Sequence, residues 1–214
     1  MALAPPAESN AVMTNDNLYA SDKSAPQDRS TGGPLDLSEV NAVSQYLDFG
    51  SIRIAARDGL QIRLEIDEAT NSVVAVSLEI SGSTLQLQAF AAPRSEGVWH
   101  EVRANMQNAI LAQGGETQER VGSLGPELLA KIPLLDEKGI AAGFKLARFI
   151  GVDGPKWFLR GVVGGAALQD PKAAGDVDAL FRSVVVVRGD DPLPPKEQLK
   201  LTVPGGTVAP PRVI

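Results

Sequence analysis

Between residues 52 and 163 apolar and polar side chains repeatedly alternate, the period of a strand with one buried face. Ile52-Arg-Ile-Ala is a short case. Ile62, Leu64 and Ile66 alternate with Arg63, Glu65 and Asp67. Val73–Ile80 is rich in β-branched residues, and Leu85, Leu87 and Ala89 alternate with Gln86 and Gln88. Thr70-Asn71-Ser72 and Ser81-Gly82-Ser83 separate these runs with turn-forming residues. Connections this short join antiparallel neighbours, because parallel strands need a long crossover, so the three runs predict a meander.

The period then changes. Trp99, Val102, Met106, Ala109, Ile110 and Gln113 share one face at helical spacing, with Glu101, Arg103, Asn105 and Asn108 opposite, predicting a helix over Glu96–Gln113 that stops at Gly114-Gly115. Strands are expected at 119–123 and 127–133 on either side of Gly125-Pro126. A hairpin is expected from Phe144–Val152 and Trp157–Val163 around Asp153-Gly154-Pro155-Lys156. Asp170-Pro171 reads as a helix cap and first residue, Gly175 as an interruption, and Asp176–Val184 as the final helix. Strands, helix, strands, helix is the order of an α+β fold: a mostly antiparallel sheet covered by two main helices.

The ends lack such periodicity. Residues 1–34 are rich in Ala, Pro, Ser, Asn, Asp and Gly and are expected to be a disordered leader. Leu35–Leu47 reads as a short helical or irregular piece. The domain is expected over 35–190 and a proline-rich extended tail over 191–214, with Gln198–Val203 lying along the domain as an edge segment.

Composition narrows the function. The formal net charge is −6 over 214 residues; residues 1–48 hold seven acids and two bases, and the remainder 19 acids and 18 bases. A near-neutral body lacks the electrostatic footprint of a non-specific nucleic-acid binder. The chain has no cysteine, which removes disulfides, thiolate metal sites and a thiol nucleophile. No apolar run exceeds four residues, so no spanning helix or signal peptide is expected and a cytoplasmic location is the default.

The candidate chemistry gathers at the strand-to-helix junction Ala-Pro-Arg-Ser-Glu-Gly. Ser95 is placed to cap the helix and Glu96 to complement its dipole. Arg94 has no role in helix initiation and is the candidate anion or partner contact. Trp99 is expected in the core; Trp157 as core packing, or as an aromatic contact for a partner. Arg148 and Arg160 are expected on one sheet surface, paired with acids. The lone His100 has no paired base or nucleophile, and no metal or cofactor site is expected. Gly161–Gly165 lacks the Gly-Lys-Ser/Thr of a phosphate loop.

The phrases LQLQAFAAPRSEGVWHEVR (Leu85–Arg103), RFIGVDGPKWFLRGVV (Arg148–Val163) and LFRSVVVVRGDDPLPP (Leu180–Pro195) resemble an actinobacterial family classed as a domain of unknown function, over about Leu47 to Val203. The resemblance implies a cytoplasmic protein with a disordered acidic leader, and brings no reaction, cofactor or catalytic residue. The order of elements is also similar to the PsbP-type α/β/α sandwich, and less closely to secretion-chaperone domains; these are fold analogies and do not fix function. The leading expectation is a non-enzymatic binding or chaperone-like module with a protein partner, binding through Arg94, Ser95, Glu96, Trp99, Trp157 and Arg160. The alternative is a small-molecule acid or anion binder, or an enzyme, with Arg94, Glu96, Arg148 and Arg160 lining one pocket.

Overall fold

The computed structural model describes residues 22–40, 45–136, 139, 141–204 and 212–213. The first elements among the described residues are a one-turn helix α1 (Arg29–Gly32) and strand β1 (Leu35–Asp36), then β2 (Tyr46–Asp48) and β3 (Ile52–Ala55). The meander follows as β4 (Gln61–Asp67), β5 (Ser72–Ile80) and β6 (Ser83–Ala91), and leads to helix α2 (Trp99–Ala112). Strands β7 (Glu116–Gly122), β8 (Gly125–Leu135), β9 (Ala141–Asp153) and β10 (Trp157–Gly165) precede helix α3 (Pro171–Arg182), β11 (Val185–Val186) and β12 (Arg212–Val213).

The main sheet has the order β12-β4-β5-β6-β10-β9-β8-β7, and a small sheet the order β1-β11-β3-β2. Neighbours are antiparallel except at β12–β4 and β1–β11. The α+β class with a mostly antiparallel sheet holds.

Successive side chains of a strand point to opposite faces, and the central strands carry apolar residues at consecutive positions such as Phe149-Ile150 and Phe158-Leu159, so both faces of the main sheet are apolar where helices cover them. Leu85, Leu87 and Ala89 of β6, Trp157, Leu159 and Val163 of β10, and Ile150 and Val152 of β9 face α3, which inserts Val177, Leu180 and Phe181; Ile52 and Ile54 of the small sheet join this core. The opposite face carries Phe158, Phe149, Ala147, Leu128 and Ala130, covered by Val98, Trp99 and Ile110 around α2. Trp99 is fully buried, its ring 5.6 Å from that of Phe158 at 24°. Gly151 makes this approach feasible, since a Cβ there would lie 2.4 Å from the indole of Trp99.

Several elements differ from the sequence reading. The last helix is continuous from Pro171 through Gly175 to Arg182, capped by Asp170 accepting from the Lys172 amide. Gly175 meets nothing within 4 Å, so its missing side chain leaves no packing gap. Of the leader expected over 1–34, residues 1–21 lie outside the described residues, and 22–34 are packed on the domain rather than free. Asp28 pairs with Arg182 at 3.0 Å, and Leu35 and Asp36 form β1 beside β11. Between residues 35 and 47, where a helix was an option, the chain forms two short strands and a single turn at Leu37–Glu39, with 41–44 outside the described residues.

Within the described part of the tail, the stretch from Lys196 to Leu201 is non-helical and lies along the domain, as expected for Gln198–Val203, bridging to Phe90 and Gly50. The Lys196 amide donates to Ala91 O (2.7 Å), the Ala91 amide to Glu197 O (2.8 Å) and the Leu199 amide to Ala89 O (2.8 Å). β6 pairs with β5 only through Ser83–Leu87, so the tail takes up the free backbone groups of its second half. Buried Leu199 and Leu201 then carry the chain to Phe49 and Ser51 beside the small sheet.

Candidate functional site

The junction after β6, the β9–β10 hairpin loop and the segment Asp22–Ala25 meet at one corner. Asp153, the last residue of β9, organises it. One carboxylate oxygen accepts from the Val98 amide at 2.9 Å; the other accepts from the amides of Ser24 at 3.0 Å and Trp99 at 3.4 Å. The Asp153 amide in turn donates to Ser24 O at 2.8 Å. Two amides at the start of α2, those of Val98 and Trp99, are therefore satisfied by a carboxylate some 55 residues away in sequence. Ser95 makes no cap: the helix starts at Trp99, its N-cap position is Val98, and Ser95 is exposed. Both corrections have one cause, since Asp153 already fills the position that a capping hydroxyl takes.

Lys23 enters the same corner. Its ammonium donates to Pro93 O (3.1 Å), Pro155 O (3.0 Å) and Gly154 O, which uses all three of its protons. Burial pushes the Lys23 amine below its ordinary pKa; Asp153 opposes this and Arg29 adds to it. Burial likewise pushes the Asp153 carboxyl above the usual carboxylate range, against the pull of its three amide donors and of Lys23. Arg29 is held by Glu39 in a two-pronged pair (2.8 and 2.5 Å) and lies 5.8 Å over the ring of Trp157.

A cavity of about 460 Å³ opens at this corner, with Lys23, Arg29, Arg94, Lys156, Asp153 and Pro155 on its walls. Arg94 and Lys156 are exposed, and among the described residues neither side chain has a hydrogen bond or ion pair. The loops carrying them are tied together, the Ala92 amide donating to Lys156 O at 3.0 Å. A larger hollow of about 600 Å³ lies between Val73–Val74 and the tail, with Lys200 the one charged residue among the described residues that line it. The described residues include no cluster of three His, Asp or Glu side chains placed to hold a metal ion.

Gly97 sits where this corner is tightest. A Cβ there would lie 2.4 Å from Asp22 O and 2.8 Å from an Asp153 carboxylate oxygen. Gly97→Ala is expected to cost about 1–3 kcal/mol through overpacking and to loosen residues 22–25, seen as faster proteolysis ahead of Ser24 and a lower urea midpoint.

The six sequence candidates do not form one surface. Trp99 and Trp157 are fully buried; the indole N–H of Trp99 donates to Pro126 O (2.7 Å) and that of Trp157 to Asp36 (2.9 Å). Trp157 is thus core packing, not an aromatic contact for a partner. Arg94, Ser95 and Glu96 are exposed at the corner. Arg160 is on the α2 side of the sheet, donating to Gln88 and lying 5.4 Å over Phe90. Arg148 is on the α3 side, paired with Glu127 (2.6 Å) and Asp178 (2.8 Å). The two arginines therefore occupy opposite faces, because Arg160 lies an odd number of residues from Val163, the register partner of Arg148. The single pocket expected from Arg94, Glu96, Arg148 and Arg160 does not exist. Pairing of Arg148 with acids holds. Asp153, Lys23 and Lys156 escaped sequence reasoning, since an Asp and a Lys around Gly-Pro read as an ordinary turn and Lys23 lies far away in sequence; only long-range contact brings the three to one corner.

The fold and corner define an α+β protein with an eight-stranded sheet, helices on both faces and a cation-walled hollow at one end. A family model described as "Protein of unknown function (DUF3710)" matches residues 33–209, and the chain belongs to that family. No curated protein and no solved structure matches. No helix among the described residues is long and apolar enough to cross a membrane.

Proposed function

We propose that the protein is a non-enzymatic binding module that docks an acidic group of a protein partner at the Asp153 corner. The supporting observation is that Arg94 and Lys156 share one hollow with no ion-pair partner among the described residues, on loops anchored by Asp153, Lys23 and the Ala92–Lys156 bond. Neither side chain contributes to the core, and the helix beside them is capped without them. Exposed cations of this kind contribute orientation and association rate when a complementary charge arrives.

The test is charge reversal. Tagged full-length protein with Arg94→Glu and Lys156→Glu is compared with wild type for proteins recovered from cells that naturally make it. Recovery of the principal partner is expected to fall about tenfold or more, as for charged contacts turned repulsive. Lys145→Glu, an exposed change outside this corner, serves as control. Unaltered recovery by a double variant with wild-type circular dichroism and melting temperature would remove this reading.

A further inference from the structure

We infer that the acidic group received at the Asp153 corner is a phosphate monoester carried on a side chain of the partner. This rests on the docking reading above and names the chemistry that the corner suits. Four cations wall the hollow, namely Lys23, Arg29, Arg94 and Lys156, against two carboxylates that line it or pair with its walls, Asp153 and Glu39. Among the described residues, two of these cations, Arg94 and Lys156, have no ion-pair partner. A phosphorylated side chain carries about −1.5 to −2 at neutral pH and balances them, whereas one Asp or Glu carboxylate supplies about half as much charge.

The donors also fit. The guanidinium of Arg94 presents a planar fork that takes two oxygens of a phosphate, and Lys156 supplies a compact charge for a third. Lys23 has no proton to spare, its three carbonyl contacts having used them, so it acts through its field from behind the site. Arg29 is likewise engaged by Glu39 and Pro34 O. The Val98 and Trp99 amides at the start of α2 are occupied by Asp153 and take no part. Ala25 and Pro155 offer apolar wall to the carbon stem of the incoming residue.

The openness of the corner decides between sources. Arg94 and Lys156 are both exposed, so a free metabolite would stay wet on most of its surface, whereas small-molecule sites bury the greater part of their ligand. A side chain projecting from a partner needs only a receptive mouth, with the remaining contact made around it.

The experiment combines a titration with a treated lysate. Full-length protein is titrated with a short phosphothreonine peptide, its unphosphorylated twin, a twin with Glu at that position, and inorganic phosphate. Amide resonances of Gly97, Gly154 and Lys156 are followed. The phosphopeptide is expected to bind about tenfold tighter than the Glu twin and than inorganic phosphate, and Arg94→Gln and Lys156→Gln are each expected to weaken it about tenfold. Partner recovery is expected to fall about tenfold when the lysate is first treated with phosphatase. Equal binding of the phosphopeptide and the Glu twin overturns the inference, as does partner recovery indifferent to phosphatase. Inorganic phosphate binding as tightly as the phosphopeptide overturns the side-chain source. Recovery that survives phosphatase but not charge reversal sinks the phosphate alone; recovery that survives charge reversal sinks the docking reading beneath it.

Discussion

Arg148→Ala is expected to destabilise the protein by about 4 kcal/mol, the scale on which a buried ion pair fails when one partner is removed. The Arg148 side chain is 3% exposed and Glu127 1%. Its guanidinium bonds Glu127 at 2.7 Å through Nε and Asp178 at 2.8 Å through Nη1, tying β8 and β9 to α3. Burial alone would lower the pKa of Arg148, but the hydrogen bonds and charges of Asp178 and Glu127 outweigh it and hold the group above its ordinary value. Truncation leaves Glu127 out of water with Arg120 as its remaining cation, and Arg120 is half exposed. Asp178, 16% exposed, regains solvent more easily, so Asp178→Ala is expected to cost less. The double replacement Arg148→Met with Glu127→Leu is expected to recover most of the loss, because it removes both charges together. Urea unfolding followed by tryptophan fluorescence measures all four proteins. A single-variant loss below about 1 kcal/mol, the range of a surface pair, would show that the network is hydrated in solution.

Asp153→Ala is expected to cost about 3 kcal/mol, next in size. The carboxylate accepts from three backbone amides, two of which start α2, and loss of a helix cap alone costs about 1 kcal/mol. The remainder comes from leaving these amides without partners beside fully buried Trp99 and from removing the nearest counter-charge of Lys23. Asp153→Asn keeps a carbonyl acceptor and avoids a buried negative charge, so about half the loss is expected. Ser95→Ala is expected to change stability by less than about 0.5 kcal/mol, as for an exposed residue outside any cap. Thermal or urea denaturation of the three variants orders them. If Ser95→Ala proved as costly as Asp153→Ala, the helix would be capped locally after all. Hydrogen exchange at Val98 and Trp99 gives an independent readout, expected to quicken in Asp153→Ala before the rest of α2 does.

Part of the candidate site was legible and part was not. Arg94 stands out because nothing in helix initiation requires an arginine there, and the structure leaves it exposed beside the hollow with no ion-pair partner among the described residues. Its companions gave no local signal. Lys156 lies in a hairpin loop whose Asp, Gly and Pro already satisfy turn geometry, and Lys23 lies in a stretch with the composition of a disordered arm. The described part of that stretch is held by polar contacts and short pairings: Lys23 to three carbonyls, Ser24 to Asp153, Arg29 to Glu39 and β1 to β11. Arg103 is a similar case. Assigned to the polar side of α2, it is buried, 5.8 Å from the ring centre of Trp99, with its charge on Glu119 at 2.7 Å.

What the sequence determined by itself is set by short-range periodicity. Alternation at Ile62–Ile66, Val73–Ile80 and Leu85–Ala89, with Asn71 and Gly82 in the turns, specified the β4–β5–β6 meander; Trp99 to Ile110 specified α2, and Trp157 and Leu159 the buried face of β10. These patterns are local because a side chain's direction is fixed by its own backbone. Tertiary structure decided which charges meet: Arg148 and Arg160 parted to opposite faces by register, Asp153 assigned to a helix start 55 residues earlier, and the tail seated against the second half of β6. Such pairings have no period, and arise only when burial leaves a polar group no water and the nearest donor or acceptor belongs to a distant part of the chain.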